Sequence, residues 1–119
     1  MADHLARSRK QEKRGAQVYG GTVNPGSGCG HRKNDVTTSG HSIEFKTTTK
    51  KSYSLSLASL IDCERHALSL GGRVPLFGID FATTAATYRY VLMTEFDYLQ
   101  AQHELEYLRE FYDQHADDV

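Results

Sequence analysis

The segment Ser42-Ile43-Glu44-Phe45-Lys46 holds a Glu-x-Lys pair, and Asp35 stands nine positions before Glu44. On a strand, alternation would turn Glu44 and Lys46 to one face and Ile43 and Phe45 to the other. A turn at Ser39-Gly40 would fold the preceding strand back and bring the Asp35 carboxylate next to Glu44. Two carboxylates so placed can share one hard cation, with a lysine ammonium beside them. That spacing can build a nuclease site. Taken singly, the same residues read as a turn cap at Asp35 and a solvated strand face at Glu44 and Lys46.

The chain that must position them has 119 residues and a mass of 13.3 kDa. That is room for one domain, residues 1–119, with a single modest core, where an oligomer interface would add useful burial. A hydrophobic content of 39% argues for a globular fold. No apolar run approaches the roughly 20 residues of a membrane-spanning helix. Met1-Ala2-Asp3-His4 lacks the apolar stretch of a secretory signal, and two cysteines do not make a disulfide framework. An intracellular, reducing compartment is expected, with no membrane partner.

The formal charge of -1 hides a division. Residues 1–51 carry ten Lys or Arg against four acids, net +6, and the remainder four against eleven, net -7. A polyanion would approach the first half. Separated charges also serve simply to keep both surfaces solvated.

Periodicity predicts helix, three strands, helix, two strands, helix, an α/β (mixed-sheet α+β) class. The first helix is expected from a cap at Asp3 to about Tyr19, stopped by Gly20-Gly21. Thr22-Val23-Asn24 reads as a short strand, and 25–30 as a loop able to approach a ligand closely. Strands around 34–38 and 41–48 follow, then a helix over about 55–70 with Leu57, Leu60, Ile61, Ala67 and Leu68 in its apolar stripe. Segments 74–82 and 87–93 read as a hairpin of buried strands with Phe77, Ile79 and Phe81 on one face. The last helix opens on a Thr94/Asp97 capping box and carries Phe96, Leu99, Leu105, Leu108 and Phe111. It can supply a dimer contact or cap the sheet.

Glu12 in a basic first helix, Pro25-Gly26-Ser27-Gly28, Lys33-Asn34-Asp35-Val36, Ile43-Glu44-Phe45-Lys46-Thr47-Thr48, Lys50-Lys51 and Gly71-Gly72-Arg73-Val74-Pro75 follow one another in this order. The series resembles the PD-(D/E)XK nuclease superfamily, and within it archaeal-type Holliday junction resolvases and their phage-encoded relatives. The resemblance covers roughly 9–93 as a nuclease core and leaves the C-terminal helix, 94–119, outside. Asn34 stands where the superfamily's name has proline.

The resemblance implies a restriction-endonuclease-like core and a role for each matched residue. Asp35, Glu44 and the Phe45 carbonyl would bind Mg²⁺, with Mn²⁺ able to substitute. Lys46 would orient or help deprotonate the attacking water, Glu12 would hold a second cation or a water, and Ser27 would bind a phosphate oxygen or support the site. Branched or double-stranded DNA is the implied substrate, cut by a homodimer to leave 5′-phosphates, in a prokaryote or a phage-infected cell. Arg7, Arg9, Lys10, Lys13 and Arg14 on the first helix, with His31, Arg32, Lys33, Lys50 and Lys51, would follow a DNA backbone without reading sequence.

Two other readings remain open: a restriction or repair nuclease on linear or flapped DNA, and a non-catalytic DNA-binding accessory protein. The second could use a zinc site drawn from Cys29, His31, Cys63 and His66, since tetrahedral zinc accepts such a set. An unliganded cysteine is the simpler expectation for each thiol.

Overall fold

The computed structural model describes residues 2–25 and 34–116. The elements are α1 (Ala2–Tyr19), β1 (Thr22–Val23), β2 (Val36–Thr37), β3 (His41–Thr48), α2 (Leu57–Ser69), β4 (Val74–Ala82), β5 (Thr87–Leu92) and α3 (Glu95–Gln114). The strands form one mixed sheet in the order β1-β2-β3-β4-β5, with β3 and β4 parallel and the other pairs antiparallel. α2 makes the crossover that a parallel β3–β4 pair requires.

The two faces of the sheet carry separate cores. Val36, Ile43, Phe45 and Leu76 pack beneath Ala16 of α1. Cys63 of α2 packs with Phe77 and Ile79, bordered by Tyr53, Leu55, Leu60 and Phe81. β4 is buried on both faces from Leu76 to Asp80, as expected of a strand between two neighbours with helices on each side.

The Phe45 ring fixes the approach of α1 to the sheet. A Cβ on Gly15 of α1 would lie 2.4 Å from this ring, and one on Gly78 of β4 would lie 2.6 Å from it. The ring is therefore clamped between two glycines. Gln11, buried on the same helix, donates from Nε2 to the Lys46 carbonyl at 2.7 Å and sets the rotation of α1 over β3. α1 stops where its glycines allow: Gly20 has φ 72°, and the Gly21 N–H donates to the Ala16 carbonyl at 2.8 Å. Asp3 lies inside the first turn rather than at the cap, where its charge suits the helix dipole.

Other elements differ from the sequence expectation. The buried stripe of α2 is Leu60, Cys63 and Ala67, while Leu57 and Leu68 are about 70% exposed. Ile61 is exposed as well, since it shares their flank of the helix. β5 is exposed along its whole length, because it is an edge strand and no helix covers it. α3 is capped as expected, Thr94 Oγ1 accepting from the Asp97 N–H at 3.0 Å and donating to Asp97 Oδ2 at 2.8 Å. It does not cap the sheet, and none of its residues is buried. The molecule consequently extends 59 × 36 × 25 Å.

Candidate active site

Thr38, Ser39 and Gly40 reverse the chain between β2 and β3. Thr38 Oγ1 accepts from the backbone of Gly40 and His41 at 3.3 and 2.9 Å. The register then pairs Val36 with Ile43 and Thr37 with Ser42. One step further sets Asp35 opposite Glu44. β2 ends here, and among the described residues the edge of β3 beyond it has no strand partner on that side. Asp35 Oδ2 takes the place of the missing strand by accepting from the Phe45 N–H at 2.8 Å. The N–H and C=O of one strand residue point the same way, so the Phe45 carbonyl faces this same open edge.

α1 brings Glu12 to the edge. Its carboxyl is hydrogen-bonded to that of Asp35, and its pKa is pushed up from 4.5 to about 7. Burial is the largest cause, followed by the hydrogen bond and charge of Asp35, while Arg9 and Lys46 act in the opposite sense. Burial and the neighbouring Asp35 both favour the protonated, neutral form of Glu12. Strand alternation, meanwhile, places Glu44 and Lys46 on the face that also carries Phe77 and Ile79. Glu12 and Asp35 therefore meet at the open edge of β3, close enough to Lys46 for its charge to lower the Glu12 pKa, while Glu44 turns to the face of Phe77 and Ile79, where its charge reaches Cys63.

Asn34, 2% exposed, holds the approach to Asp35. Its backbone N–H donates to His66 Nδ1 at 3.0 Å, and its side-chain amide donates to Ser42 Oγ at 2.8 Å and to the Cys63 carbonyl at 3.0 Å. Ser42 Oγ lies 3.3 Å from the same His66 nitrogen. An N–H donating to Nδ1 fixes the neutral ring with its proton on Nε2. Gln11, Asn34 and Ser42 were not read as site-building residues from sequence, and His66 only as a possible zinc ligand. Their partners lie 8 to 35 positions away, and no local pattern marks such contacts.

The basic residues divide around α1. Arg9 is close enough to Glu12 to lower its pKa. Arg7, Lys10, Lys13 and Arg14 instead line a groove of about 540 Å³ between α1 and the β4–β5 pair, with Thr47 and the Arg89–Asp80 ion pair on its floor. Arg7 Nε is buried without a hydrogen-bond partner. Lys50 and Lys51 are exposed in the turn that leaves β3. Ser27, His31, Arg32 and Lys33 lie outside the described residues, as does Cys29.

The donor chemistry of the Glu12–Asp35 pair suits a hard cation: two carboxyl groups meet at the edge that the Phe45 carbonyl faces. Among the described residues, no three His, Cys, Asp or Glu side chains stand grouped as a ready metal cradle. The fit thus rests on the carboxyl pair and the Phe45 carbonyl. Cys63 is buried, its thiol donates to the Leu76 carbonyl at 3.4 Å, and burial first and the Glu44 charge second push its pKa up to about 11. It is held as a neutral thiol, unlike a zinc thiolate.

No helix among the described residues is long and apolar enough to cross a membrane. Comparison with known proteins finds no matching family model, no matching curated protein and no matching solved structure.

Proposed function

We propose that the chain is a metal-dependent endonuclease acting on branched DNA, a Holliday junction resolvase that hydrolyses phosphodiesters in symmetric pairs. The observation that carries this reading is the Glu12–Asp35 carboxyl pair at the open edge of β3, within reach of the Lys46 charge. Mg²⁺ or Mn²⁺ held by Asp35 and Glu12, with Glu44 and the Phe45 carbonyl, would supply a Lewis acid next to the scissile phosphate. Lys46 orients the attacking water and offsets the charge that builds on the phosphoryl oxygens. Asp35 stays in place because Phe45 and the Asn34 contacts hold it from two sides.

Arg7, Lys10, Lys13 and Arg14 bind phosphates along the far flank of α1, and the unpaired Arg7 Nε is a donor ready for one. Arg9 binds on the flank shared with Glu12. Contacts of this kind position a backbone without reading bases, which suits an enzyme that recognises the shape of a branch. A homodimer would present two such sites about a twofold axis, as paired nicks in a four-way junction require.

The test is incubation with Mg²⁺ of a labelled four-way junction, its matching linear duplex, and the junction with Lys46→Ala. Paired nicks in the junction alone, reduced about 10²–10³-fold in the variant, are expected. Equal cutting of both substrates would make the chain a general nuclease. Tight junction binding without any cutting would leave a DNA-binding accessory protein.

A further inference from the structure

Thirteen of the twenty exposed large apolar side chains among the described residues fall between Tyr88 and Tyr112, on β5, α3 and, at Met93, the link between them. α3 runs for 20 residues with none of them buried. In proteins most of a helix's stability comes from packing an amphipathic face, and this one is left uncovered. Its stripe is regular: Tyr98, Ala101, Leu105, Leu108 and Tyr112 follow the alternating three- and four-residue steps of a packing seam. At the root of α3 lies an apolar hollow of about 110 Å³, lined by Leu60, Phe77, Leu92 and Met93. Only Met93 and Thr94 separate β5 from α3, which is about 30 Å long and leaves the sheet instead of folding back. The radius of gyration, 16.9 Å, exceeds the about 13.5 Å expected of a compact chain of this length.

We infer that α3 packs across the β5 face and apolar hollow of a second copy of this chain, so that two protomers exchange their last helices about a twofold axis. Each chain carries both an apolar helix and an apolar hollow that it leaves bare, so one symmetry operation covers both twice. The area suffices. Tyr98, Leu105, Leu108 and Tyr112 of the seam, and Tyr88, Tyr90, Leu92 and Met93 of the face it would meet, are each 36–69% exposed. Eight large side chains losing about 100 Å² apiece remove roughly 800 Å² per protomer from water, the size of a standard stable interface. Charge rules out nucleic acid as the occupant, because α3 carries six carboxylates against the single Arg109. The pairing rests on burial and not on the nuclease reading.

Sedimentation equilibrium of the full chain without DNA, over a concentration series, tests it. Wild type is expected at twice 13.3 kDa. Leu105→Glu with Leu108→Glu on the helix, and separately Met93→Glu in the hollow, should each sediment at the monomer mass. Hydrogen exchange at Ile43 and Phe77 should stay protected in both variants, because Leu105 and Leu108 lie outside both cores and Met93, 37% exposed, borders the core only at the rim of the hollow. Mixing the two variants restores one intact helix-to-hollow contact and should return a weaker dimer. A monomeric wild type overturns the inference, as does a Met93→Glu protein that remains fully dimeric or a mixture that stays monomeric. Because mass is read without substrate, failure of the exchange and failure of the nuclease reading are separate results.

Discussion

Glu12 is the residue at which the fold and its chemistry oppose each other. Its pKa of about 7 in the folded chain, against an ordinary 4.5, means that the native state binds its proton more tightly than the unfolded state does. Between these two values the native state holds more protons, so the contribution is full below 4.5 and is lost as pH rises through about 7. Denaturant midpoints measured in chelator at several pH values should therefore fall for wild type across that window. Glu12→Gln, neutral throughout, should show a flatter profile and be favoured relative to wild type above pH 7. Identical profiles would show that the carboxyl pair is not coupled to folding. His66 makes a second test: His66→Ala leaves the buried Asn34 N–H without an acceptor, a loss of about 1–3 kcal/mol. His66→Asn, whose amide oxygen can occupy the Nδ1 position, should recover much of that stability in the same titration. Asp35, Glu44 and Lys46 were legible in the sequence because a turn and a period of two decide where they point. The clamp of Asn34, Ser42 and His66 was not, because tertiary packing alone joins α2 to the start of β2.

At the scale of elements, the position of α1 over β3 decides whether Glu12 reaches Asp35, and the Phe45 ring between Gly15 and Gly78 sets that distance. Alanine at Gly15 gains about 1 kcal/mol in helix propensity. The added methyl meets a ring only 8% exposed, which has nowhere to move. Overpacking of that kind costs about 1–3 kcal/mol, so the clash should win or at best cancel. Gly78→Ala has no helical gain to offset it and should be the more destabilising of the two in thermal unfolding. Under the proposed function, junction cleavage should also fall in Gly15→Ala, since the helix must shift away from the edge. A Gly15→Ala protein more stable than wild type would mean that Phe45 is loosely held. The mixed α/β class and its three helices followed from hydrophobic period and glycine stops. The buried face of α2 was misread because Leu57, Ile61 and Leu68 fit a helical stripe as well as Leu60, Cys63 and Ala67 do. Which stripe meets the sheet depends on where β3 and β4 lie. β5 reads as buried from Tyr88, Tyr90, Val91 and Leu92, yet an edge strand is covered only if another element or another chain reaches it.

Over the whole molecule, charge is sorted by distance from the site. The first 51 residues hold a net +6 and the rest -7, and α3, the most acidic element, projects away from the sheet. Under the proposed function a polyanion would be drawn to α1 and kept off the far end, so DNA affinity should be dominated by the counterions that α1 releases. The logarithm of the binding constant then falls linearly with the logarithm of salt concentration, by about 0.9 for each phosphate neutralised on duplex DNA. Replacing Lys10 and Lys13 together with Gln should lower this slope by about 2, if each side chain holds one phosphate, and should weaken junction and duplex binding alike. Arg109→Gln removes a positive charge from α3 and should leave the slope unchanged. Fluorescence anisotropy titrations at several salt concentrations measure all three proteins. Equal slopes for wild type and the double variant would mean that the groove beside α1 is a solvated surface, and the backbone path would then have to be sought along Lys50 and Lys51 instead.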